Sequence, residues 1–441
     1  MSRCSRRVEE TDVKKQTVLL VLLVLSVAGL FGANLPSRTV TVEYREFTGL
    51  ETMDGNWSAL YAASDGKVYV GLCNHGGDGH LAYYDPKTDR MHDGGNLTEA
   101  AGEALRRLGP QSKIHAKFGE GKDGRIYFGT QRGWWFNWAR LGTKEGYPGF
   151  HWMAFDPKTN RIEDFGLGGL RDQSINTGAY DPLFNRIYGM ASPRGHFVYY
   201  DVAKRKSVDK GRVSNWDSIC RTLGIDREGN VYGSFGIGQV FKYDPRTDEI
   251  RELSVHIPLR QKGISLGRDY GKSETAWRVV AWDDKTSRFY GLDESAGLLF
   301  SFDPKAGKEG EVRQLGQMCA PGFENRRDIP FTNLGFALGR DRKLYYAASD
   351  HEFDHFNTPK WGNVYLITYN IDTGKMENLG AMVSKDGRRV YGMTAGDTGP
   401  DGTVYFVGVV EVKPQPGRPM VSGGKIDNID YRLALVFYKP K

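Results

Sequence analysis

One phrase returns seven times along the 441-residue chain, and it leaves few folds open. Its fullest copy is KIHAKFGEGKDGRIYFGT, from Lys113 to Thr130: a short apolar run, an Asp-Gly turn, then an alternating run with aromatic residues. That order makes a β-hairpin, by turn chemistry and by a period of two. Weaker copies are ALYAASDGKVYVG, GAYDPLFNRIYG, TLGIDREGNVYG, VVAWDDKTSRFYG, GFALGRDRKLYYA and TAGDTGPDGTVYF. Most are followed by a third strand that ends in an Asp-Pro-Lys-Thr type of turn, as in HLAYYDPKTDR, HWMAFDPKTNR and VFKYDPRTDE. There proline presets φ and the aspartate side chain bonds to the backbone beyond it. A weaker fourth strand, such as RIEDFGLG or KMENLGAM, completes the unit. The turns recur every 44 to 61 residues, the size of a four-stranded propeller blade.

The two ends of the chain complete the pattern. The last copy has its third strand in YRLALVFYKPK and is one strand short, whereas RTVTVEYREFTGL near the N-terminus is an alternating strand with no blade of its own. Pairing the two closes the ring and removes the open edges of a linear array. The sequence therefore predicts an all-β fold. It is one seven-bladed β-propeller of four-stranded antiparallel blades over 36–441, closed by its N- and C-terminal strands, with no second domain. The 56 glycines and the 23 Tyr, 22 Phe and 9 Trp agree with many short strands joined by turns.

Residues 1–35 stand apart. KKQTVLLVLLVLSVAGLFGA places two lysines before a run of about 17 apolar or small residues, the order of a secretory signal peptide or an uncleaved N-terminal membrane anchor. Either predicts export. The net charge of +6 gives weak attraction to acidic partners and, with no Lys/Arg cluster along a helix, no footprint for nucleic acid. Cys4 precedes the apolar run. Cys73, Cys220 and Cys319 lack the close spacing of a disulfide framework or a zinc site, so one disulfide plus a free thiol and three buried thiols both remain open. Asn56 and Asn96 fit the glycosylation acceptor pattern.

In such a blade the innermost strand starts at one face, the mouth, and the loop between the second and third strands opens there too. The two turns lie opposite. Counting back nine residues from Gly66, Gly124, Asn185, Gly229, Ser287, Arg342 and Gly402 reaches Trp57, His115, Asn176, Cys220, Arg278, Asn333 and Met393, with Tyr391 as the alternative to the last. Convergence of polar groups in a concave mouth marks a site. The mouth loops add His75 and Asp78, Arg132 with Trp134, Trp135 and Trp138, Arg194, and the HEFDH stretch with Asp350, His351, Glu352, Asp354 and His355. Clustered tryptophans suit stacking on a sugar ring. Architectural readings stand beside these. His80, His151 and His196 share one repeat position and are expected to bond a neighbouring loop. Trp57 and Trp282 can serve blade packing. The Arg-Asp pairs at Arg171, Arg268 and Arg327 fit salt bridges. HEFDH has metal-ligand residue types, but in a loop instead of a helix.

Through blade phrases such as DGRIYFG and YYDPKTDR the chain resembles the seven-bladed propellers of secreted bacterial proteins, among them streptogramin lyase and polysaccharide lyases of the ulvan and oligogalacturonate kinds. The residues of the ring supply the parts for β-elimination on an anionic polysaccharide or oligosaccharide. Arg278 and Asn333 would neutralise the uronate carboxylate, His115 would take the adjacent C–H proton, and Tyr391 or His75 would protonate the leaving oxygen. Trp57, Asn176, Arg132, Trp134, Trp135 and Arg194 would hold the substrate. The chemistry requires no metal. Two rivals remain: a non-catalytic propeller presenting the same ring to a glycan or protein, and a hydrolase or lactonase using a divalent metal held by His351, His355 and nearby acids.

Overall fold

The computed structural model describes residues 36–104, 109–133, 146–213, 220–235, 238–258, 276–294, 296–324, 333–350, 362–412 and 430–440. Val40–Lys441 form one compact unit; the other, Met1–Thr39, falls almost entirely outside the described residues.

Strands dominate the described residues and form five four-stranded sheets and one of eight strands. The four-stranded sheets cover 60–96, 119–167, 174–212, 224–256 and 277–317, each with its strands in chain order. The larger sheet is two further blades joined by their outer strands. One covers 336–384; the other covers 390–438 and takes Thr39–Glu46 as its fourth strand. The expected closure is present: Thr39–Glu46 pairs antiparallel with Asp430–Tyr438, Glu43 opposite Phe437 and Glu46 opposite Ala434.

Local chemistry fixes each blade. All seven turn positions of the repeat, Gly66, Gly124, Asn185, Gly229, Ser287, Arg342 and Gly402, have φ between 52° and 89°. This is the left-handed region that glycine enters without steric cost. In four blades a tyrosine of the second strand locks the same turn: Tyr69, Tyr127, Tyr232 and Tyr345 donate to Asp65, Asp123, Asp226 and Asp341 at 2.9, 2.8, 3.2 and 2.8 Å.

The glycine that closes the phrase has a different task. A Cβ on Gly71 would stand 2.7 Å from Cβ of Ile114, and one on Gly129 would stand 2.7 Å from Cγ1 of Ile175. Ile114 and Ile175 lead into the next blade, immediately before His115 and Asn176. These bare backbones let adjacent blades approach closely at the axis and fix the register of the residues at the mouth. Farther out, aromatic layers fill the space between blades, as where Tyr188 and Phe197 meet Phe241 and Tyr243, and these meet Trp277 and Phe300.

The repeated histidines are architectural. His80, His151 and His196 bond Asp93, Asp164 and Asp209 at 3.1, 2.8 and 3.0 Å. The partner is the outer strand of the same blade, where a neighbouring loop was expected; His151 alone also reaches such a loop, at Glu103. Cys73, Cys220 and Cys319 are unbridged, the first two buried and the third half-buried.

Candidate functional site at the channel mouth

His115 stands just before Gly119–Glu120, the innermost strand of its blade. Its imidazole lies against Trp57 of the preceding blade, ring centroids 5.9 Å apart and planes 3° from parallel. It is 8% exposed. The ring hydrogen-bonds to the backbone of Asn176 in the following blade, and Nδ1 has no hydrogen-bond partner among the described residues. A bond to a backbone carbonyl keeps the proton on Nε2, so Nδ1 retains its lone pair. Burial first, then the positive charges of Lys113, Arg221 and Arg278, hold the imidazole well below its ordinary pKa. His115 is a neutral proton acceptor at neutral pH.

The cations around it have few counter-charges. Arg278 is buried and its Nη1 lies 3.2 Å from Oε1 of Glu294, in the loop after the second strand of its blade. Nε of Arg221 is 3.9 Å from the same oxygen. Lys113, two residues before His115, is buried, and burial lowers its pKa; Cys73 and Asp54 oppose this, while Arg132 and Arg221 add to it. Asp54 also holds His75, accepting from its backbone N–H at 3.0 Å and meeting its Nδ1 at 2.7 Å. Burial, then the Lys113 charge, lowers the pKa of His75 and keeps it neutral.

Other expected site residues have structural duties. Asn333 donates both amide hydrogens within its own blade, to the carbonyl of Ala347 at 3.0 Å and to Ser349 Oγ at 2.7 Å. It has no N–H left for a ligand carboxylate. Tyr391 is buried against Tyr431, ring centroids 5.4 Å apart, and burial pushes its hydroxyl up to about 12. Met393 is buried in the core of the closing blades, and a β-bulge between Tyr391 and Ala395 displaces this stretch from the common count. Arg132 is half-buried, with Nη1 donating to the carbonyl of Asp172 at 3.3 Å. Arg194 is exposed. Asp78 accepts from Asn96 at 3.2 Å. Trp282 donates to Asp284 and packs on Phe289, a blade contact as expected. Arg171 pairs loosely with Asp172 at 3.9 Å. Trp134, Trp135, Trp138, Arg268, Arg327, His351, Glu352, Asp354 and His355 lie outside the described residues. Among the described residues no cluster of His, Cys, Asp and Glu could hold a metal ion.

Four members of the site escape the nine-residue count: Asp54, Lys113, Arg221 and Glu294. Lys113 was accessible by alternation from His115. Arg221 lies one step past Cys220, whose thiol is in the core with its pKa pushed up to about 12 by burial. Asp54 and Glu294 come from loops and carry no periodic signal.

Below the mouth a cavity of about 410 Å³ follows the axis. Its lining begins with residues that directly follow the ring, Ser58, Val279 and Leu334, and includes Lys117, Glu120 and Asp397. Lys117 and Asp397 pair at 3.7 Å.

No protein-family model matches the chain, and no curated protein matches it. Solved structures share its propeller-type architecture. The extracellular domain of the putative hybrid two-component system BT4673 of B. thetaiotaomicron aligns at 13% identity and TM-score 0.52, over 89% of this chain and 39% of that one. The chain thus spans well under half of that structure's length. The WD40 repeats of RRP9 align at 10% identity and TM-score 0.53, over 90% of this chain and 97% of theirs. A fungal alcohol oxidase of the AA5 family, in complex with copper, aligns at 10% identity and TM-score 0.56, over 91% and 77%. At such identities the likeness is one of fold.

Proposed function

We propose that this protein is an exported propeller that takes a uronic-acid polymer at the mouth and cleaves it by β-elimination, with His115 as the base. One observation carries the reading: a neutral imidazole whose buried Nδ1 has no hydrogen-bond partner among the described residues is set among the buried or half-buried cations Lys113, Arg221 and Arg278. A carboxylate beside the guanidinium groups is polarised, which makes the adjoining C–H acidic. Nδ1 takes that proton, the C–H electron pair becomes the new C=C, and the glycosidic C–O bond breaks. The imidazolium of His115 then returns its proton to the departing oxygen. A bound carboxylate favours the charged imidazole, so the base strengthens as substrate arrives. The expected alternatives for the acid fit less well. His75 is neutral with Nδ1 tied to Asp54, and Tyr391 packs against Tyr431 within the closing blade.

The test is incubation with a panel of uronate polymers, following the ultraviolet absorbance of an unsaturated uronate. Wild-type protein is expected to generate it, and His115→Ala to lose roughly 10²–10⁴ of the rate. Full activity in His115→Ala overturns the assignment of the base. The near-complete burial of His115 and Arg278 favours a second reading, a propeller that binds the polymer without chemistry. Binding with no absorbance change from any polymer would select it.

A further inference from the structure

We infer that Arg221 is the residue that grips the ligand's carboxylate, and that the Arg278–Glu294 pair is the brace behind it. The inference rests on the uronate reading of the mouth and assigns its specificity.

The two guanidinium groups differ in what they already hold. Arg278 has Glu294 at 3.2 Å, within ion-pair and hydrogen-bond range, and is 4% exposed. Arg221 has only the distant approach of 3.9 Å to the same carboxylate oxygen and no hydrogen-bond acceptor among the described residues, and its side chain keeps 18% exposure. A half-buried guanidinium with five N–H donors and no acceptor is short of a partner. The orphan Nδ1 of His115 is an independent sign of the same kind, a polar atom more than nine-tenths buried and unsatisfied.

The backbone that carries Arg221 is pinned on both sides. Cys220 donates its N–H to the Ser234 carbonyl at 3.1 Å and accepts from the Thr177 hydroxyl of the preceding blade. Thr222 accepts from Trp277 Nε1 at 2.8 Å through its carbonyl and from the Val280 N–H at 3.0 Å through its hydroxyl, both in the following blade. Arg221 therefore starts from a rigid base between two blades, the preorganisation that tight anion recognition needs.

Charge sets the class of ligand. Among the described residues, Lys113, Arg132, Arg221 and Arg278 are set against the carboxylates of Asp54 and Glu294, while Asp172 gives Arg132 its backbone carbonyl and has its carboxylate near Arg171. With both histidines neutral, positive charge outweighs negative among these described residues, and a carboxylate would offset the excess.

The experiment titrates full-length protein with D-galacturonate and with its methyl ester by calorimetry. Wild type is expected to bind the acid roughly tenfold or more tighter than the ester, because the ester cannot make a charge-assisted pair. Arg221→Gln is expected to bind both alike, and Arg221→Lys to keep part of the difference. Equal binding of acid and ester by wild type overturns the inference without reliance on any variant. An Arg221→Gln protein that keeps the full discrimination also overturns it, by placing the carboxylate on Arg278. The two proposals fail separately: discrimination through Arg221 with no unsaturated product from any polymer removes elimination and leaves the carboxylate site in place.

Discussion

Trp57 and His115 belong to adjacent blades and lie with ring planes 3° from parallel. The indole is the wall that shields the imidazole on one side. Trp57→Ala should admit water and raise the pKa of His115 toward its ordinary value, because burial is the largest cause of its depression. Loss of the electron-rich indole face acts in the opposite sense, but such a contact contributes only about 0.5–1 kcal/mol at a site open to water. An NMR titration of the His115 ring protons measures the outcome. An unchanged or lower midpoint would show that Trp57 does not provide the shield.

His151 gives a stability prediction with a defined sign. It lies between Asp164 at 2.8 Å and Glu103 at 3.0 Å and is 4% exposed. Burial opposes its charge, yet the two carboxylates together outweigh burial and raise its pKa from 6.5 to about 9. The folded value is above the unfolded one, so the contribution is complete below pH 6.5 and disappears as pH rises through about 9. Its size is on the order of 3 kcal/mol. Urea denaturation across this window should show wild type losing stability toward alkaline pH. His151→Gln should be less stable at the acid end and flatter across the range; a parallel slope in both proteins would refute the charged latch.

The acceptor pattern at Asn56 is closed by the fold. The residue is 1% exposed; its amide donates to the carbonyls of Ala59 at 3.0 Å and Gly71 at 2.7 Å, and its oxygen accepts from Thr394 at 3.1 Å. The side-chain oxygen of Asn96 accepts from the N–H groups of Thr98 and Glu99 and caps the short helix Leu97–Ala100. Folded protein from a glycosylating host should carry no glycan at Asn56 by peptide mass spectrometry. Asn56→Ala should cost about 1–3 kcal/mol in chemical denaturation, since it leaves buried carbonyls unsatisfied. A glycan on Asn56 of folded protein, or a variant as stable as wild type, would contradict this.

The architecture was readable because its signals are local and repeated. The Asp-Gly turns, the Asp-Pro-Lys-Thr turns and the unpaired terminal strands each state a backbone conformation or a missing partner, and Glu43 opposite Phe437 answers the last of these. His115 and Arg278 were readable for the same reason, as positions at a fixed distance from a turn. Arg221 was not, because the count ends on Cys220 and Arg221 lies in a bend before the strand Gly224–Ile225, where no period fixes its direction. Glu294 and Asp54 were hidden more completely, since a loop carboxylate is placed by tertiary contacts that no period records. Asn333 looked like a ligand group because sequence shows which donors exist and not which are already engaged.

The closing pair of strands has one more consequence. Asp430–Tyr438 runs away from the mouth, so Tyr438 ends beside Val404, just after the Asp401-Gly402 turn, and its antiparallel neighbour starts at that same far rim. The start of the one strand and the end of the other therefore lie at the underside. An attachment made at Glu43 or Tyr438 themselves would therefore meet the sheet toward the Asp401-Gly402 turn, at the end away from the start of the innermost strands.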